Sequence, residues 1–267
     1  MTDRPEDIQR RLSGLDEIGQ VVGTLRAVAS GQSNAAQGAV AAIRSYADTV
    51  TGAQARVMTA VPAPPSGPGL VLVIGAAQGF SGAYPDRIAA AVLATWRPGA
   101  GLLVLGGRTL SMLDGPARQA IRWSDELPSH IGQIPALASR ITDAMLPLTA
   151  HFPGPVTLVS GRDQPGQPAT ATPLWPPSVT PDTRPPPLTT LPPADLAAAL
   201  LAEALFASIT LALTEGYRAE NQARFEAMAR AQSNLRSKRV EVQALYQQAR
   251  QDQMTNEMIE LATGRFI

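Results

Sequence analysis

The chemically capable side chains of this sequence are a few carboxylates, two histidines and the groups around one glycine-rich turn. None comes with the partners that catalysis needs. Asp125 and Glu126 are adjacent, and Glu257 and Glu260 stand three apart, so on a helix the second pair shares a face. Paired carboxylates can act as acid and base when an apolar pocket or the neighbouring charge holds one of them protonated. Neither pair has a histidine or a metal-ligand spacing beside it, and both read as solvated surface groups. His130 and His151 are isolated, and the chain has no cysteine, which removes disulfides, thiolate nucleophiles and cysteine metal sites together. No G-x-S-x-G is present. The expectation is no catalytic residue and no metal site.

The turn G-A-A-Q-G-F-S-G-A-Y, from Gly75 to Tyr84, follows an apolar run and could present backbone amides to a phosphate. Its spacing is neither G-x-G-x-x-G nor G-x-x-x-x-G-K-[ST], and the only lysine, Lys238, is remote. No cofactor is expected. The competing interpretation is a nucleotide- or small-molecule-binding alpha/beta domain with a helical dimerisation arm, which would place its ligand at this turn.

The elements that must carry these groups are set by proline. Apart from Pro5, every proline of the 267-residue chain lies between Pro62 and Pro193, so residues 6–61 and 194–267 are the only arms able to form long uninterrupted helices. In the first arm Ile8, Leu15, Ile18, Val22, Leu25, Ala29, Ala36, Ala39, Ile43, Tyr46, Val50, Ala53 and Val57 follow alternating three- and four-residue steps, with Arg11 and Gln32 polar on that register. This is a heptad seam. Such a helix would be on the order of 80 Å long and cannot cover its own apolar stripe. The second arm, with Leu200, Ile209, Leu213, Phe225, Met228, Leu235, Val242, Leu245, Ala249, Met254, Met258 and Leu261 as apolar points, supplies the partner. Two ends of one chain returning through a compact middle can pair only antiparallel, as an intramolecular coiled coil. Gly14, Gly19, Gly23, Gly31 and Gly38 interrupt the first arm, read either as close helix contacts or as sites of compliance.

The middle alternates Leu70–Gly75, a helical pattern from Asp86 to Trp96, Gly101–Gly107, a helix near Gln133 to Leu146, and Pro155–Ser160. That order predicts a small Rossmann-like alpha/beta domain with a mainly parallel sheet. The fold class is therefore α/β, a long antiparallel coiled coil of the terminal helices plus this central domain. The expected boundaries are 1–61 for the first helix, 62–172 for the alpha/beta domain, 173–193 for a proline-rich extended connector and 194–267 for the last helix. Zero formal net charge gives no pull toward nucleic acid. The run Leu196–Leu213 approaches the length of a membrane span but carries Glu203, Ser208 and Thr210, and is expected to be a buried helix rather than a span. The charged start, without an apolar h-region, points to the cytoplasm.

The end of the chain carries a specific resemblance. E-N-Q-A-R-F-E-A-M-A-R-A-Q-S-N from Glu220, then R-Q-x-x-[IM]-T-x-E at Arg250, Gln251, Met254, Thr255 and Glu257, and A-x-G at Ala262–Gly264, resemble the C-terminal helix of the gamma subunit of F-type ATP synthases. I-Q-R-R-L-S-G-L from Ile8 to Leu15 is similar to that family's opening. Gly79, Phe80, Ser81, Gly82, Ala83 and Tyr84 match its S-D-R-G-L-C-G-G-[YF]-N turn with serine for cysteine, and the L-G-G-R at Leu105–Arg108 and L-W-P at Leu174–Pro176 follow in its order. Glu215 and Glu220 resemble acidic positions opening its final helix.

The resemblance implies a non-catalytic, rotating central-stalk subunit. Its rotation, driven by transmembrane ion flow, would be coupled to ATP synthesis or hydrolysis at the beta subunits. It implies the alpha and beta subunits of the catalytic hexamer, the epsilon subunit and the membrane c-ring as partners, and a place at the cytoplasmic face of the bacterial inner membrane. By the same resemblance Arg250, Gln251, Thr255 and Glu257 are clutch contacts with a beta subunit, Leu25, Met258 and Leu261 belong to the bearing or neck, and Leu201, Glu203, Ala204 and Leu205 to the foot. The chain departs from the family where a foot aromatic falls on Ala204 and where a lysine cluster of the first helix becomes Gln20, Gly23 and Gln32, which suggests a divergent branch such as the alternative bacterial ATPases.

Overall fold

The computed structural model describes residues 4–58, 66–161, 167–177, 182, 184 and 187–264. In chain order these form α1 (Pro5–Val57), β1 (Leu70–Ile74), α2 (Tyr84–Thr95), β2 (Gly101–Leu105), α3 (Gly107–Leu110), α4 (Gly115–Gln119), β3 (Ile121–Asp125), α5 (Ile134–Thr149), β4 (Val156–Ser160), β5 (Thr170–Trp175) and α6 (Pro193–Thr263). Pro5 can begin α1 because a first-turn residue needs no amide partner, and Glu6 and Asp7 face the positive end of the helix dipole.

The sheet order is β3-β2-β1-β4-β5, parallel throughout except for β4 with β5. β1 is central and buried along its whole length, as a parallel strand covered on both faces must be. Its alternation divides the core. Leu70, Leu72 and Ile74 pack with Leu137 and Ile141 of α5 and with Leu205, Ile209 and Leu213 of α6. Val71 and Val73 point the other way, to Ile88 and Val92 of α2 and to Leu113 and Ala117. Each of these buried aliphatic side chains contributes roughly 1.5–3 kcal/mol by leaving water.

Two strands were not legible in the sequence. β3 reads I-R-W-S-D with only partial burial, and β5 reads T-A-T-P-L-W. Both are edge strands, so each is specified by its one neighbour more than by its own pattern. β5 tolerates Pro173 because an edge strand can spare an amide. It also runs across the expected boundary at residue 172, so the first part of the supposed connector is sheet. Much of the remaining connector lies outside the described residues.

The chain divides into two compact units, Met1–Val28 with Phe225–Ile267, and Ala29–Arg224. In the first, the two helices run antiparallel: Asp16 accepts from Arg239 Nε at 2.7 Å, Arg26 Nη1 donates to Gln232 at 2.8 Å, and the Arg26 guanidinium stacks over Phe225 at 4.9 Å. In the second, Arg44 pairs with Glu215 at 2.6 Å and Tyr46 hydrogen-bonds Glu203. α6 contains a stretch with mean hydropathy 2.1 that is apolar and long enough to cross a membrane. Leu205, Ile209, Ala212 and Leu213 on its inner side form part of the sheet core, which accounts for the apolar character of that side.

The seam of α1 differs in one row from the expected one. Ile8, Val22, Ala29 and Val50 are buried, and Leu15 and Ile43 are half-buried. In the companion row three residues on, Leu25, Gln32 and Ala39 are half-buried but Arg11, Ile18, Tyr46 and Ala53 are exposed, whereas the row four residues on, Leu12, Gly19, Arg26, Ser33, Val40, Ala47 and Gln54, is buried or half-buried throughout. Hydrophobicity pointed to the less covered row because the other is largely small or polar. The close-contact reading of the glycines also falls. A Cβ added at Gly14, Gly19, Gly23, Gly31 or Gly38 would meet nothing within 4 Å.

Candidate functional site

The glycine-rich turn leaves β1 at its C-terminal end, where a parallel sheet usually receives a ligand. Here the space is filled by the protein itself. A Cβ on Gly75 would lie 2.5 Å from the Thr109 side chain, and Thr109 Oγ1 accepts the Ala76 amide at 2.8 Å. Tyr84 is wholly buried against Gly161, where a Cβ would approach its ring to 2.3 Å. Burial pushes the Tyr84 hydroxyl well above the usual tyrosine range, with the Glu220 charge adding to the shift.

One amide of the turn that could have met a phosphate is engaged by α6. The Gln78 N–H donates to Glu220 Oε1 at 3.0 Å, and Arg224 Nε donates to the Gly79 carbonyl at 3.2 Å. Arg224 also donates from Nη2 to Glu220 at 2.7 Å and from Nη1 to Asn221 Oδ1 at 2.6 Å. The side chains of Arg224 and Glu220 are 8% and 4% exposed. Burial raises the Glu220 carboxyl, while Arg224 and the amides of Gln78 and Ala77 pull it back in part. Beyond this cluster the backbone turns left-handed at Phe80 (φ 65) and Gly82 (φ 60), leaving the Phe80 ring 67% exposed. The hollow beside it, lined in part by Ser81, Asp86 and Arg108, is about 260 Å³. That is below the roughly 300–1,000 Å³ of ordinary small-molecule sites. Glu220 had been read as opening the last helix; it lies well inside α6, as does Glu215. Its pairing with Arg224 was missed; the four-residue Glu–Arg spacing was a readable signal, but the polar residues around it gave no sign that the pair is buried.

The other carboxylate pairs have separate duties. Asp125 accepts from Arg140 Nε at 2.9 Å and Nη2 at 2.8 Å, tying β3 to α5, and Glu126 accepts the Gly107 amide at 3.1 Å. Glu257 and Glu260 line an open hollow of about 400 Å³ together with Arg4, Glu6 and Asp252.

The last part of α6 differs from the rest, with every residue from Arg250 to Gly264 exposed. At 100° per residue, Arg250, Met254, Glu257, Met258 and Leu261, with Gln251 and Thr255 beside them, fall within an arc of roughly 160°. Thr255 Oγ1 donates back to the Gln251 carbonyl at 2.9 Å, and Glu257 accepts from Gln253 at 2.8 Å. The structure thus places the expected clutch residues and the expected bearing residues Met258 and Leu261 on one open helix face, a row of thioether and aliphatic groups edged by a guanidinium, an amide and a hydroxyl. Leu25 is half-buried on α1 between exposed Val21 and Val28. The expected foot residues separate. Leu201 is half-buried and Glu203 is exposed, but Ala204 and Leu205 are 5% and 2% exposed. Leu205 is part of the sheet core and Ala204 is likewise covered, so neither offers an exposed surface in this chain.

A family model described as ATP synthase matches residues 4–265. No curated protein matches the sequence significantly. Among solved structures, a chain of the Euglena gracilis mitochondrial ATP synthase OSCP/F1/c-ring assembly aligns with TM-score 0.71 at 13% identity, covering 98% of this chain and 93% of that one. A chain of the E. gracilis rotor structure aligns with TM-score 0.66 at 14% identity, covering 94% and 98%. One from the Tetrahymena thermophila mitochondrial ATP synthase central stalk and c-ring aligns with TM-score 0.54 at 16% identity, covering 79% and 99%.

Proposed function

The chain belongs to the gamma-subunit family of ATP synthase and is a central-stalk subunit, and from that premise we propose that it works without catalysing anything itself. It turns inside a hexamer of alpha and beta subunits and passes torque between that hexamer and a membrane ring. The terminal helices act as the shaft, and the alpha/beta domain together with the epsilon subunit and c-ring forms the lower end. Arg250, Gln251, Thr255 and Glu257 engage one beta subunit at a time, and Met258 and Leu261, with Leu25 on α1, provide an apolar bearing. The assembly would sit on the cytoplasmic face of a bacterial inner membrane.

The observation that carries this reading is the bare end of α6, where polar groups able to grip a carboxylate or a loop border an unpartnered apolar row. A planar guanidinium can make paired bonds to a carboxylate, and a few such contacts suffice to switch one subunit at a time. For the competing ligand-binding interpretation, the packed turn after β1 leaves little room. The test is to mix the chain with alpha and beta subunits of its source. One copy per hexamer and ATP turnover that depends on it are expected; a hexamer that neither binds it nor changes rate would sink the reading. Arg250→Ala combined with Gln251→Ala should leave the melting temperature of the isolated chain nearly unchanged, within about 0.5 kcal/mol of stability, while lowering the torque delivered per ATP. Unaltered torque would reject the clutch assignment.

A further inference from the structure

Two kinds of contact hold α6 to the sheet. The larger is apolar, from Leu205, Ile209, Ala212, Leu213 and Tyr217 beneath β1 and β2. Apolar burial resists separation and gross rotation but is non-directional, so it sets the angle of the helix about its own axis less sharply than directed bonds do. The smaller contact is polar and directional, and it joins α6 to the residues that directly follow the central strand.

We propose that Glu220, Asn221 and Arg224 form a torsional joint through which the β1 turn and α6 rotate as one, with Glu220 and Arg224 as positioning residues. The proposal rests on the rotor reading above, since only a chain under twist makes use of such a joint. The two cross-element bonds, Gln78 N–H to Glu220 and Arg224 Nε to the Gly79 carbonyl, reach adjacent residues of the turn from side chains one helical turn apart. The guanidinium closes the figure by bonding Glu220 and Asn221 on the helix while it holds Gly79 on the turn. A planar fork reaches three acceptors from three separate nitrogens, whereas the three donors of an ammonium share one nitrogen. A buried ion pair adds little net stability over apolar residues of the same volume. Its particular advantage at this place is direction, because bonds that point across the joint lose their geometry as soon as the helix turns against the sheet. Tyr217, which donates to the Ser129 carbonyl at 2.9 Å, supplies a further directional tie to the sheet unit, and Gly216 lets α6 sit close on Ile74, where a Cβ would meet the side chain at 2.4 Å.

Because the sequence has no cysteine, a single introduced thiol is a unique handle in this chain for a rotation probe attached before assembly. The experiment uses the full chain assembled with its alpha and beta subunits, held at fixed nucleotide. The handle is placed either on the sheet unit, at exposed Ser139 of α5 (Ser139→Cys), or on α6 itself, at exposed Ala198 (Ala198→Cys). With the native joint, the angular spread of the probe should be the same at both handles. With Glu220→Gln plus Arg224→Met the spread at the Ser139 handle should widen about twofold or more, as expected when the directional bonds across the joint are lost, while that at the Ala198 handle stays unchanged. Arg224→Lys keeps the buried charge beside Glu220 but not the three-way fork. It should widen the spread in the same direction, and it decides the matter if the double variant does not assemble. Equal spreads at the two handles in the variants overturn the joint and leave the rotor reading standing. Failure of the unsubstituted chain to assemble or rotate overturns the rotor reading, and the joint with it.

Discussion

Glu220 is a carboxylate withdrawn from water on the strength of one guanidinium and the amides of the turn it holds. Burial is the largest influence on it and the net shift is upward. A carboxyl whose folded pKa exceeds its unfolded one contributes its stabilisation fully below the unfolded value and loses it as pH rises through the folded value. Starting from about 4.5, the ordinary value for this group, the native chain should therefore lose stability relative to Glu220→Gln as pH is raised. Melting curves of the two proteins across that range measure the difference directly. A gap that stays constant, or that moves in favour of the native chain at higher pH, would mean that the attraction of Arg224 outweighs burial. Arg224 illustrates why such pairs are hard to weigh: half the pair alone would be an uncompensated buried charge, so single substitutions exaggerate what the pair contributes.

At the scale of the element, α1 is a helix whose companion seam row contains Gly19, Arg26, Ser33 and Gln54 in place of large apolar side chains. Its interior glycines are not there to make room, because the space a Cβ would fill is open at each. Gly19→Ala and Gly23→Ala should then each stabilise the isolated chain by about 0.5–1 kcal/mol, through the lower backbone entropy of alanine in the unfolded state. Thermal unfolding should shift upward by about 2–4 °C per kcal/mol for a protein of this size. A fall in melting temperature at either position would show a contact that the open geometry does not contain. A gain in stability accompanied by slower rotation in the assembled complex would instead tie these glycines to the compliance of the shaft. α6 has the opposite character, buried or half-buried from Ala204 to Arg224 and bare through its last part.

For the whole molecule, the division of α6 gives a simple expectation. Residues 250–264 are all exposed, so a chain ending at Ala249 should keep the melting transition of the sheet-containing unit while losing productive engagement of the hexamer. Calorimetry of the truncated chain and ATP turnover of its complex read the two properties separately. Loss of the sheet transition would mean that the bare segment supports the fold, contrary to its exposure. The buried apolar contacts lie around β1, and the terminal part of α6 adds none to them.

The sequence by itself determined the two long helices, through the confinement of proline to the middle of the chain, and the three inner strands, through continuous apolar runs that only a doubly covered sheet can bury. It also determined the family, through the Arg250–Glu257 motif and the residues from Glu220. Tertiary structure alone decided the rest. The edge strands β3 and β5 exist because a neighbour pairs with them, not because of their own alternation. The more covered row of α1 was settled by which side faces α6, and the small and polar residues there left only Leu12 and Val40 as a hydrophobic trace. Ala204 and Leu205, which the family resemblance placed in the foot, are buried, because which residues of a helix are covered depends on its rotation about its axis, and a uniformly apolar run does not encode that.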